Sequence, residues 1–549
     1  MGARGLRRLV AIALAGVVLM VSCEGSGAGQ VELGASGGQH RSGPLPRLHA
    51  VRGARPGVFD EQGRQVVLRG VNLNGLAEYA RNNPTLDPTI PITDRTWRQI
   101  ADEGFNVVRL LVSWSRVEPQ RGAYDEDYIA SIRAAVRAAA SRGLYTVVDM
   151  HQDAWGPHVA TPDGIECPPG REPSNGWDGA PEWATPSPDA FDSCRPADGE
   201  AKPGSELVTE AWDRFYRDTD GVQTAFGDMW EHLVAALGRH SGIAGYDILN
   251  EPGLGRGELS PGPLVDLPAL GELYDRAIGA IRRGEADANI PARPIFFEHT
   301  AVGNPPPAGF SDDPGLVFAP HVYGGSIVDF ITVDLNWDLV LAGYARWGTS
   351  IWVGEYGWWS DPATQPDLVG RVERFAVRED GGPGPGAGAV RAPFIAAGSA
   401  WWQWNNGCGD PHQITNRGAP APPEIRQYRV TRCVDGAAED AGVVPGWRTI
   451  LTRPAVRFAP GWISELTSDG DPAGLTVQAV DATPGTDLEL WAPGEERPVV
   501  AGTGIARVDA RRVGRGWQIT ARVCTASYTV SLAAPSPGSA DDPPRRCRR

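Results

Sequence analysis

Along most of the chain, short apolar runs alternate with longer stretches in which apolar positions recur at helical spacing. Runs of this length are typical of buried strands, and their alternation with amphipathic segments indicates β-α units around a parallel sheet. The eight predicted strands cover 66–72, 106–111, 145–150, 243–249, 294–298, 316–321, 351–355 and 396–403. The clearest predicted helices cover 124–142, 211–238, 270–285 and 334–347.

Eight strands over this length of chain favour a closed (β/α)8 TIM barrel over an open sheet. The barrel is predicted to occupy 47–446, with long insertions at 151–205 and 406–446. Both insertions follow strand carboxyl ends, where such barrels build their active sites. The helical pattern then stops, and short stretches between turns predict a C-terminal antiparallel β-sandwich over 447–533, with a flexible tail over 534–549.

The first part of the chain has the pattern of an export signal. In residues 1–22, three arginines precede an apolar run of about a dozen residues, which is too short to span a bilayer. The run ends in Met-Val-Ser-Cys, similar to a bacterial lipoprotein cleavage box, and residues 23–46 form a Gly- and Ser-rich tether. We expect a secreted protein; the sequence leaves open whether a lipid on Cys23 anchors it to the outer face of the cell membrane.

The cysteines also fit an exported protein. The chain has seven, and setting Cys23 aside leaves an even number, which favours disulfides over a metal site or a catalytic thiol. Many connectivities are open to six cysteines. Closeness in sequence favours the pairs Cys167–Cys194, Cys408–Cys433 and Cys524–Cys547.

The amino-acid composition limits the classes of partner that the protein can bind. With 51 Lys and Arg against 67 Asp and Glu, the formal net charge is −16, which argues against nucleic acid as a partner. The chain has 19 Trp against 12 Tyr and 13 Phe. Trp rings suit sugar faces and lipid-like surfaces, but they also serve as large packing units. Neither a zinc-site spacing nor any other motif calls for a metal or organic cofactor.

Two acids stand at matching places in the predicted barrel. Glu251, in Asp-Ile-Leu-Asn-Glu-Pro, ends the fourth strand, and Glu355, in Trp-Val-Gly-Glu-Tyr-Gly, ends the seventh. Strand carboxyl ends share one mouth, so the two carboxylates can face each other, as glycoside cleavage requires. A single such residue is more often structural, but a whole set in barrel order is hard to explain by packing. Other polar or aromatic residues at predicted strand ends are Arg109, His151, His321, Tyr323 and Trp402.

This set resembles glycoside hydrolase family five, a retaining family, from Arg69-Gly70-Val71-Asn72 to the Trp-Trp-Gln-Trp motif. The resemblance implies that Glu251 is the acid/base and Glu355 the nucleophile of a double displacement. It also implies supporting roles for five groups of residues: Asn250 would hold the sugar 2-hydroxyl, Tyr323 would hydrogen-bond the nucleophile, Arg109 and His321 would support the carboxylates, His151 would bind sugar hydroxyls, and Trp402 would floor the subsite of the cleaved sugar.

Within that family the chain looks most like endoglycoceramidases, which cleave the whole glycan from ceramide and carry a C-terminal β-sandwich. The similarity rests on Asp-Met-His-Gln-Asp-Ala-Trp-Gly, on Val-Asn-Leu-Asn-Gly and on Trp-Trp-Gln-Trp followed by an insertion. It implies that Asp153 hydrogen-bonds glycan hydroxyls. Ceramide would need an apolar groove, for which the candidates on mouth loops are Trp155, Trp177, Trp183, Trp358 and Trp359.

The sequence leaves two other hypotheses about the function open. The same barrel chemistry fits another family-five retaining β-glycosidase, such as a cellulase, a mannanase or a β-glucosidase. A surface lipoprotein that binds glycolipid without cleaving it is a third reading, but such a protein has no need for both Glu251 and Glu355. We expect a glycosphingolipid substrate and a monomer, and the sequence does not decide between a glucose-linked and a galactose-linked glycan.

Overall fold

The computed structural model describes residues 43–197, 204–256, 265–328, 330–384, 395–413, 426–434, 437–468, 474–534 and 547. The predicted signal, nearly all of the predicted tether and most of the predicted tail lie outside these residues. In the described part of the chain, no helix combines the length and apolar character needed to cross a bilayer.

The predicted barrel is confirmed. Each strand pairs in parallel with the next, and the last pairs with the first, which closes the ring. The sixth and seventh strands are each interrupted, and their halves pair in order. The barrel strands are Leu68–Leu76, Val107–Val112, Tyr145–Met150, Ile243–Asp247, Ile295–Phe297, Leu316–Phe318 with His321–Val322, Ser350–Ile351 with Val353–Tyr356, and Gly398–Trp401.

Helices surround the barrel where amphipathic segments were predicted. Short polar side chains cap the amino ends of three of them, at Thr93, Asp125 and Ser205; Asp125, for example, accepts a hydrogen bond from the Tyr128 N–H. The α-helices are Asp94–Asp102, Trp114–Val117, Glu126–Ser141, Glu206–Tyr216, Val222–Leu237, Pro268–Asp287, Val333–Trp347, Pro366–Glu379 and Pro445–Leu451. Short 3-10 turns occupy Pro157–Val159, Glu182–Ala184, Thr219–Gly221 and Pro411–Gln413.

The prediction of one helix over 211–238 is wrong. Two helices meet at a turn in which Asp218, Asp220 and Gly221 have φ values of 52°, 55° and 70°. Aspartate and glycine tolerate this left-handed conformation, and the Asp218 side chain accepts a hydrogen bond from the Thr224 N–H. Because the apolar spacing continues on both sides, hydrophobic periodicity did not show the break.

The terminal sandwich consists of two sheets with an apolar core that includes Val477, Leu488, Ile519 and Val530. The seven-stranded sheet has the spatial order Leu48–Val51, Gly57–Asp60, Arg64–Val66, Ala455–Pro460, Asp487–Pro493, Gly516–Val523, Ile505–Val513. The four-stranded sheet has the order Trp462–Thr467, Leu475–Val480, Tyr528–Ala533, Val499–Thr503.

The predicted start of the barrel at residue 47 is therefore corrected. Three strands at the beginning of the described chain belong to the sandwich sheet, and Arg64–Val66 pairs there with Ala455–Pro460. The chain passes into the barrel at Val67. Since the apolar run continues through Val66, Val67 and Leu68, the sequence offers no signal at the crossing.

The sandwich is fixed to the barrel on the side away from the strand carboxyl ends. Glu103, just before the second barrel strand, pairs with Arg448 at 2.8 Å and with Arg515 at 3.1 Å. Next to it, Gly104 has a φ of +92° and lies so close to the Trp491 ring that a Cβ would meet it at 2.4 Å. This attachment supports a structural role for the sandwich.

All three expected disulfides are confirmed. Their Cα–Cα distances are 5.8 Å for Cys167–Cys194, 5.5 Å for Cys408–Cys433 and 5.3 Å for Cys524–Cys547. The first closes the insertion after the third strand, which also carries the small hairpin Arg171–Glu172 with Arg195–Pro196. The second ties the loop after the eighth strand to the hairpin Arg429–Val434 with Ala437–Val443. The long insertions at the mouth are thus cross-linked.

Candidate active site

Arg109 is the centre of the barrel mouth. Its side chain comes from the second strand and is fully buried. The guanidinium forms ion pairs with four carboxylates: the N–O distance is 2.8 Å to Glu355 and 2.9 Å to each of Asp149, Asp247 and Glu298. It also donates hydrogen bonds to the amide oxygens of Asn72, at 3.2 Å, and Asn250, at 2.9 Å.

The excess of carboxylates sets the electrostatics of this cluster. Burial acts to lower the pKa of Arg109, but the charges of Asp149, Asp247, Glu298 and Glu355 raise it well above its ordinary value, so the guanidinium stays charged. Burial raises the pKa of Asp247 well above its usual range; Arg109 opposes this shift, while Glu298 and Asp149 add to it. Asp247 can therefore hold a proton among its neighbours.

Glu251 and Glu355 face each other but have different partners. Glu355 Oε1 lies 2.8 Å from Arg109 Nη1, and its Oε2 accepts a 2.9 Å hydrogen bond from the Tyr323 hydroxyl. Glu251 Oε1 lies 2.8 Å from His321 Nδ1, which is also 3.4 Å from Glu355 Oε2. One carboxylate oxygen of each acid lies within 4.8 Å of the other. Glu355 is thus held by a guanidinium and a hydroxyl donor, whereas Glu251 contacts the His321 ring.

Glu251 is held in an uncommon backbone conformation, with a φ of 35°. Its N–H donates to Glu298 Oε2 at 2.8 Å, and its carbonyl oxygen accepts from Gln152 Nε2 at 2.8 Å. The same Gln152 nitrogen donates to the Asn250 carbonyl oxygen at 2.7 Å. These bonds from neighbouring strand ends fix the position of the acid, as is common for strained residues at functional sites.

Two further groups in contact with the acids have strongly shifted pKa values. For His321, burial acts to lower the pKa, but Glu298 and Glu355 and the hydrogen bonds to Glu251 and Glu298 raise it well above the ordinary value. Burial and the charge of Glu355 raise the pKa of Tyr323 well above its ordinary value. His321 therefore carries a proton, and Tyr323 remains a hydrogen-bond donor at neutral pH.

A second polar network lies beside the acids, on the third and eighth strands. His151 Nδ1 is 2.7 Å from Asp149, and its ring stacks on Trp402 with centroids 5.5 Å apart. Asp153 Oδ2 is 3.8 Å from His151 Nε2 and 3.3 Å from Nε2 of His412. The sequence-predicted residues Arg109, His151, Asp153, Asn250, His321, Tyr323 and Trp402 thus all lie around Glu251 and Glu355.

Sequence reasoning missed several members of the site. Asp149, Asp247 and Glu298 lie in or directly after buried strands, and that placement beside the chosen motifs was the available signal. His412 lies in the loop after the eighth strand, and its Nδ1 is 2.7 Å from Asp410. No local pattern marks His412, because its neighbours in the site come from distant parts of the chain.

The tryptophans expected to line an apolar groove are only partly where they were expected. Trp155 is buried against Trp212, and Trp358 is buried against Tyr356. Both rings belong to the main apolar core of the barrel rather than to an exposed groove. Trp183 is half-buried against Trp114, Trp177 contacts His412, and the Trp359 ring lies under Arg426.

A cleft of about 1200 Å³ opens between the loop after the first strand and the insertion after the third. Its lining is rich in polar side chains, among them Glu78, Arg81, Asn82 and His158. Tyr79 at its inner end packs with Trp402 in one apolar cluster, which connects the cleft to the network around His151. The cleft extends the polar side of the mouth.

Among the residues that the structure describes, two clusters contain side chains of the kind that ligate metals: Glu251 with His321 and Glu355, and His151 with Asp153 and Asp178. A histidine ligates a metal through an unprotonated nitrogen. In His151 burial acts to lower the pKa, but Asp149 and Asp178 raise it well above its ordinary value. The protonated state of both histidines fits hydrogen bonding to carboxylates better than it fits metal ligation.

A parallel eight-stranded barrel with two facing carboxylates at its strand carboxyl ends defines a glycoside hydrolase. The model for cellulases of glycosyl hydrolase family 5 matches residues 59–369, which is more than half of the 549-residue chain. The chain therefore belongs to glycosyl hydrolase family 5.

Proteins of similar sequence or structure include endoglycoceramidases and an endogalactoceramidase. Endoglycoceramidase I of Rhodococcus hoagii is 28% identical over 281 residues, which are 48% of this chain and 51% of that protein. The chain spans about half the length of the curated relatives it matches. A crystal structure of an endogalactoceramidase is 35% identical with a TM-score of 0.76, covering 89% of this chain and all of that one. Endo-glycoceramidase II from Rhodococcus sp., in complex with ganglioside GM3, shares the fold at 21% identity and a TM-score of 0.59, covering 87% and 99% of the two chains.

The raised pKa of His412 leads to a prediction about how the stability of the fold depends on pH. Asp410 and Asp153 raise its pKa to about 9 against the opposing effect of burial. A raised histidine pKa stabilises the fold fully below the unfolded pKa of about 6.5, and this stabilisation is lost as pH rises towards 9. His412→Gln should lower the free energy of unfolding at both pH values, and we expect this loss to be about 3 kcal/mol smaller at pH 9.5 than at pH 6. Urea unfolding at the two pH values measures this.

A matched control for His412→Gln is Gln403→Met. Gln403 Nε2 lies 3.5 Å from the same Asp410 carboxylate, but the side chain does not titrate. Its replacement should cost the same at pH 6 and pH 9.5. An equal cost of His412→Gln at both pH values would contradict the assignment of a charged His412.

Proposed function

We propose that the protein is a retaining endo-β-glycosidase that hydrolyses the bond between the oligosaccharide and the ceramide of glycosphingolipids. The observation that carries the proposal is the pair of acids within 4.8 Å of each other, with different partners. Carboxyl groups about 5 Å apart suit a retaining mechanism, whereas inverting enzymes separate them by about 6.5–9.5 Å to admit a water molecule.

In the first step Glu355 attacks the anomeric carbon of the sugar. A bond forms between a Glu355 oxygen and that carbon, while the bond to the ceramide oxygen breaks and Glu251 gives its proton to that oxygen. Arg109 and the Tyr323 hydroxyl hold the nucleophile in place. Ceramide leaves as an alcohol, and the glycan stays on Glu355 as a glycosyl ester.

In the second step the charges change. Glu355 has lost its negative charge in the ester, and Glu251 is now a carboxylate that accepts a proton from water. Water attacks the anomeric carbon, the ester bond breaks, and the released sugar has the configuration of the substrate. His321, which contacts both acids, remains positioned to support whichever of them carries the charge.

Three observations support the substrate class. The relatives with the names endoglycoceramidase and endogalactoceramidase include one that is 35% identical and aligned over its whole length. The network of His151, Asp153 and His412 supplies hydrogen-bonding groups for sugar hydroxyls, and the polar cleft beside it gives room for further sugars. None of these three observations distinguishes a glucose-linked from a galactose-linked glycan.

A substrate panel tests the proposal. The protein is incubated separately with glucose-linked and galactose-linked glycosphingolipids, with alkyl and aryl β-glycosides, and with cellulose and mannan fragments, and the products are identified by mass spectrometry. We expect free ceramide and an intact oligosaccharide from at least one glycosphingolipid. Turnover of the polysaccharide fragments with no ceramide release would show that the second reading, a cellulase or mannanase, is correct.

Glu251→Gln tests the acid/base role. We expect kcat to fall by about 10²–10⁴-fold on glycosphingolipid, because the amide cannot protonate the leaving oxygen. On an aryl glycoside whose phenol leaves without protonation, formation of the glycosyl ester should be nearly unaffected, and added azide should restore turnover. Pre-steady-state bursts separate the two steps. An equal loss on both substrates, with no azide effect, would contradict the role.

We also propose that the protein is exported as a monomer and anchored through a lipid on Cys23. The support is the charged and apolar pattern of residues 1–22 and the Gly- and Ser-rich stretch after it. Labelling of cells with a fatty-acid probe tests the anchor, with Cys23→Ser as the variant that should lose the label. Light scattering of the purified protein tests the monomer.

A further inference from the structure

The barrel mouth has two chemically different sides. The polar network of His151, Asp153 and His412 belongs to the third and eighth strands and the loop after the eighth. Glu251 ends the fourth strand, and its partners Glu298 and His321 belong to the fifth and sixth. Since the proposed acid protonates the leaving group, the aglycone leaves on the side of the fourth to sixth strands.

Exposed apolar residues collect on that same side. In the part of the chain that the structure describes, seven large hydrophobic side chains are well exposed, and four of them follow the fourth, fifth and sixth strands. Phe330, at 84% exposure, is the most exposed of the seven. We call these four residues the apolar rim: Val265, Val302, Phe330 and Leu335.

The segment that carries Phe330 is built onto the active site. Tyr323, which hydrogen-bonds Glu355, begins the loop, and its carbonyl oxygen accepts from the Ser326 N–H at 3.0 Å. The Gly325 N–H donates to the carbonyl oxygens of Val328 at 3.0 Å and Ile331 at 2.7 Å. These bonds fix a turn that presents Phe330 outwards. Keeping such a ring in water costs roughly 1.5–3 kcal/mol relative to burial.

The loops of the rim are joined to one another. The Asn304 side chain donates to the Val265 carbonyl oxygen at 3.0 Å, and the Leu267 N–H donates to the Pro305 carbonyl oxygen at 2.9 Å. The loop after the fourth strand is thus fastened to the loop after the fifth. The fifth and sixth strands are neighbours in the barrel, so their loops leave it side by side.

The charges around the rim indicate what it can bind. Three arginines near it are each paired with a carboxylate: Arg346 with Asp266, Arg374 with Asp334 at 2.6 Å, and Arg371 with Asp367 at 3.2 Å. Anionic lipids are attracted by clusters of uncompensated Lys and Arg. A face with paired charges and exposed apolar side chains suits a neutral lipid surface instead.

We propose that the apolar rim docks the enzyme on the neutral lipid surface in which its substrate is embedded. The inference rests on the proposed function, because a glycosphingolipid presents its scissile bond at the interface between water and lipid. Rim residues inserted there would bring Glu251 to the bond without lifting the ceramide out of the lipid. The rim binds the lipid surface itself, independently of the sugar.

The test compares lipid-bound and soluble substrates in the full-length protein, with Cys23→Ser in the reference protein and in every variant so that no acyl chain contributes to vesicle binding. Phe330→Asp and the double variant Phe330→Asp/Leu335→Asp are measured against Val51→Asp, which adds the same charge at a 38% exposed residue of the sandwich sheet, away from the barrel mouth. We expect Phe330→Asp to reduce flotation with phosphatidylcholine vesicles, and kcat/KM on vesicle-embedded glycosphingolipid, by about 10-fold or more. Val51→Asp should match the wild type, and all variants should keep their kcat/KM on a soluble aryl β-glycoside.

Each result of these flotation and kinetic measurements has a different meaning for the proposal. Unchanged flotation and unchanged vesicle kinetics in the double variant would overturn the proposal, as would an equal loss on the soluble glycoside. Stronger wild-type binding when phosphatidylserine replaces phosphatidylcholine would show an electrostatic surface and contradict the neutral one. A change from dimer to monomer in light scattering would show that a second copy occupies the rim. Flotation with glycolipid-free vesicles tests the rim even if the wild type hydrolyses no glycosphingolipid, a result that contradicts only the proposed function.

Discussion

Replacing Glu355 by Gln should lower kcat on an aryl β-glycoside by on the order of 10⁴-fold or more, because the amide cannot form the glycosyl ester on which both steps depend. The side chain keeps its size, and its carbonyl oxygen can still accept from Arg109 or Tyr323, so the fold should be retained. Steady-state kinetics measure the effect, and circular dichroism and substrate binding by calorimetry verify that the variant is folded and occupied.

The matched control for Glu355→Gln is Glu118→Gln. Glu118 is also buried, but it accepts hydrogen bonds from Trp114 and Gly122, outside the site. Its replacement should leave kcat within a few fold of the wild type. A second variant, Glu355→Ala, should regain turnover with azide and yield a glycosyl azide of inverted configuration. Retention of more than about a hundredth of kcat in Glu355→Gln would contradict the nucleophile role.

Arg109→Met should lower the free energy of unfolding by about 3–5 kcal/mol, because it leaves buried carboxylates without the cation that holds them together. Arg109 contacts Asp149, Asp247, Glu298 and Glu355, so activity should be lost as well. Urea unfolding measures the stability.

The Arg109→Met loss should depend on pH. Without the guanidinium, burial keeps the pKa of Asp247 raised above its unfolded value, so the folded variant binds more protons than the unfolded one. Stability of the variant then falls as pH rises through the raised pKa of Asp247, and the deficit is smallest at acidic pH. The control is Arg371→Met, whose exposed ion pair with Asp367 is worth about 0–1 kcal/mol. A cost of Arg109→Met no larger than this would contradict the central role of the guanidinium.

Local pattern was enough to find the barrel and its two acids, because the strands are apolar runs buried on both faces. In Val107–Val112 and Tyr145–Met150 every residue is buried, including the charged Arg109 and Asp149. Glu251 and Glu355 come directly after such runs. The local pattern could not predict features that depend on contacts with other segments of the chain. His412 is the clearest example, because Asp153, Trp177 and Trp402 define its surroundings.

The two larger corrections have the same physical origin. Of the three strands before Val67, the last, Arg64–Val66, pairs with a strand almost four hundred residues later, and nothing local distinguishes these strands from the first barrel strand. Trp155 and Trp358 are placed in sequence where mouth residues should be, yet both are buried in the main apolar core of the barrel. Residue type and position near a strand end indicate which side chains can reach the site, whereas packing decides which of them do.

The most direct measurement is a proton NMR time course of glycosphingolipid hydrolysis by the wild-type enzyme, with mass spectrometry of the products. The account predicts free ceramide and one intact oligosaccharide whose reducing sugar first appears as the β-anomer and only later equilibrates. Initial appearance of the α-anomer, or stepwise release of single sugars from the outer end of the glycan, would contradict it.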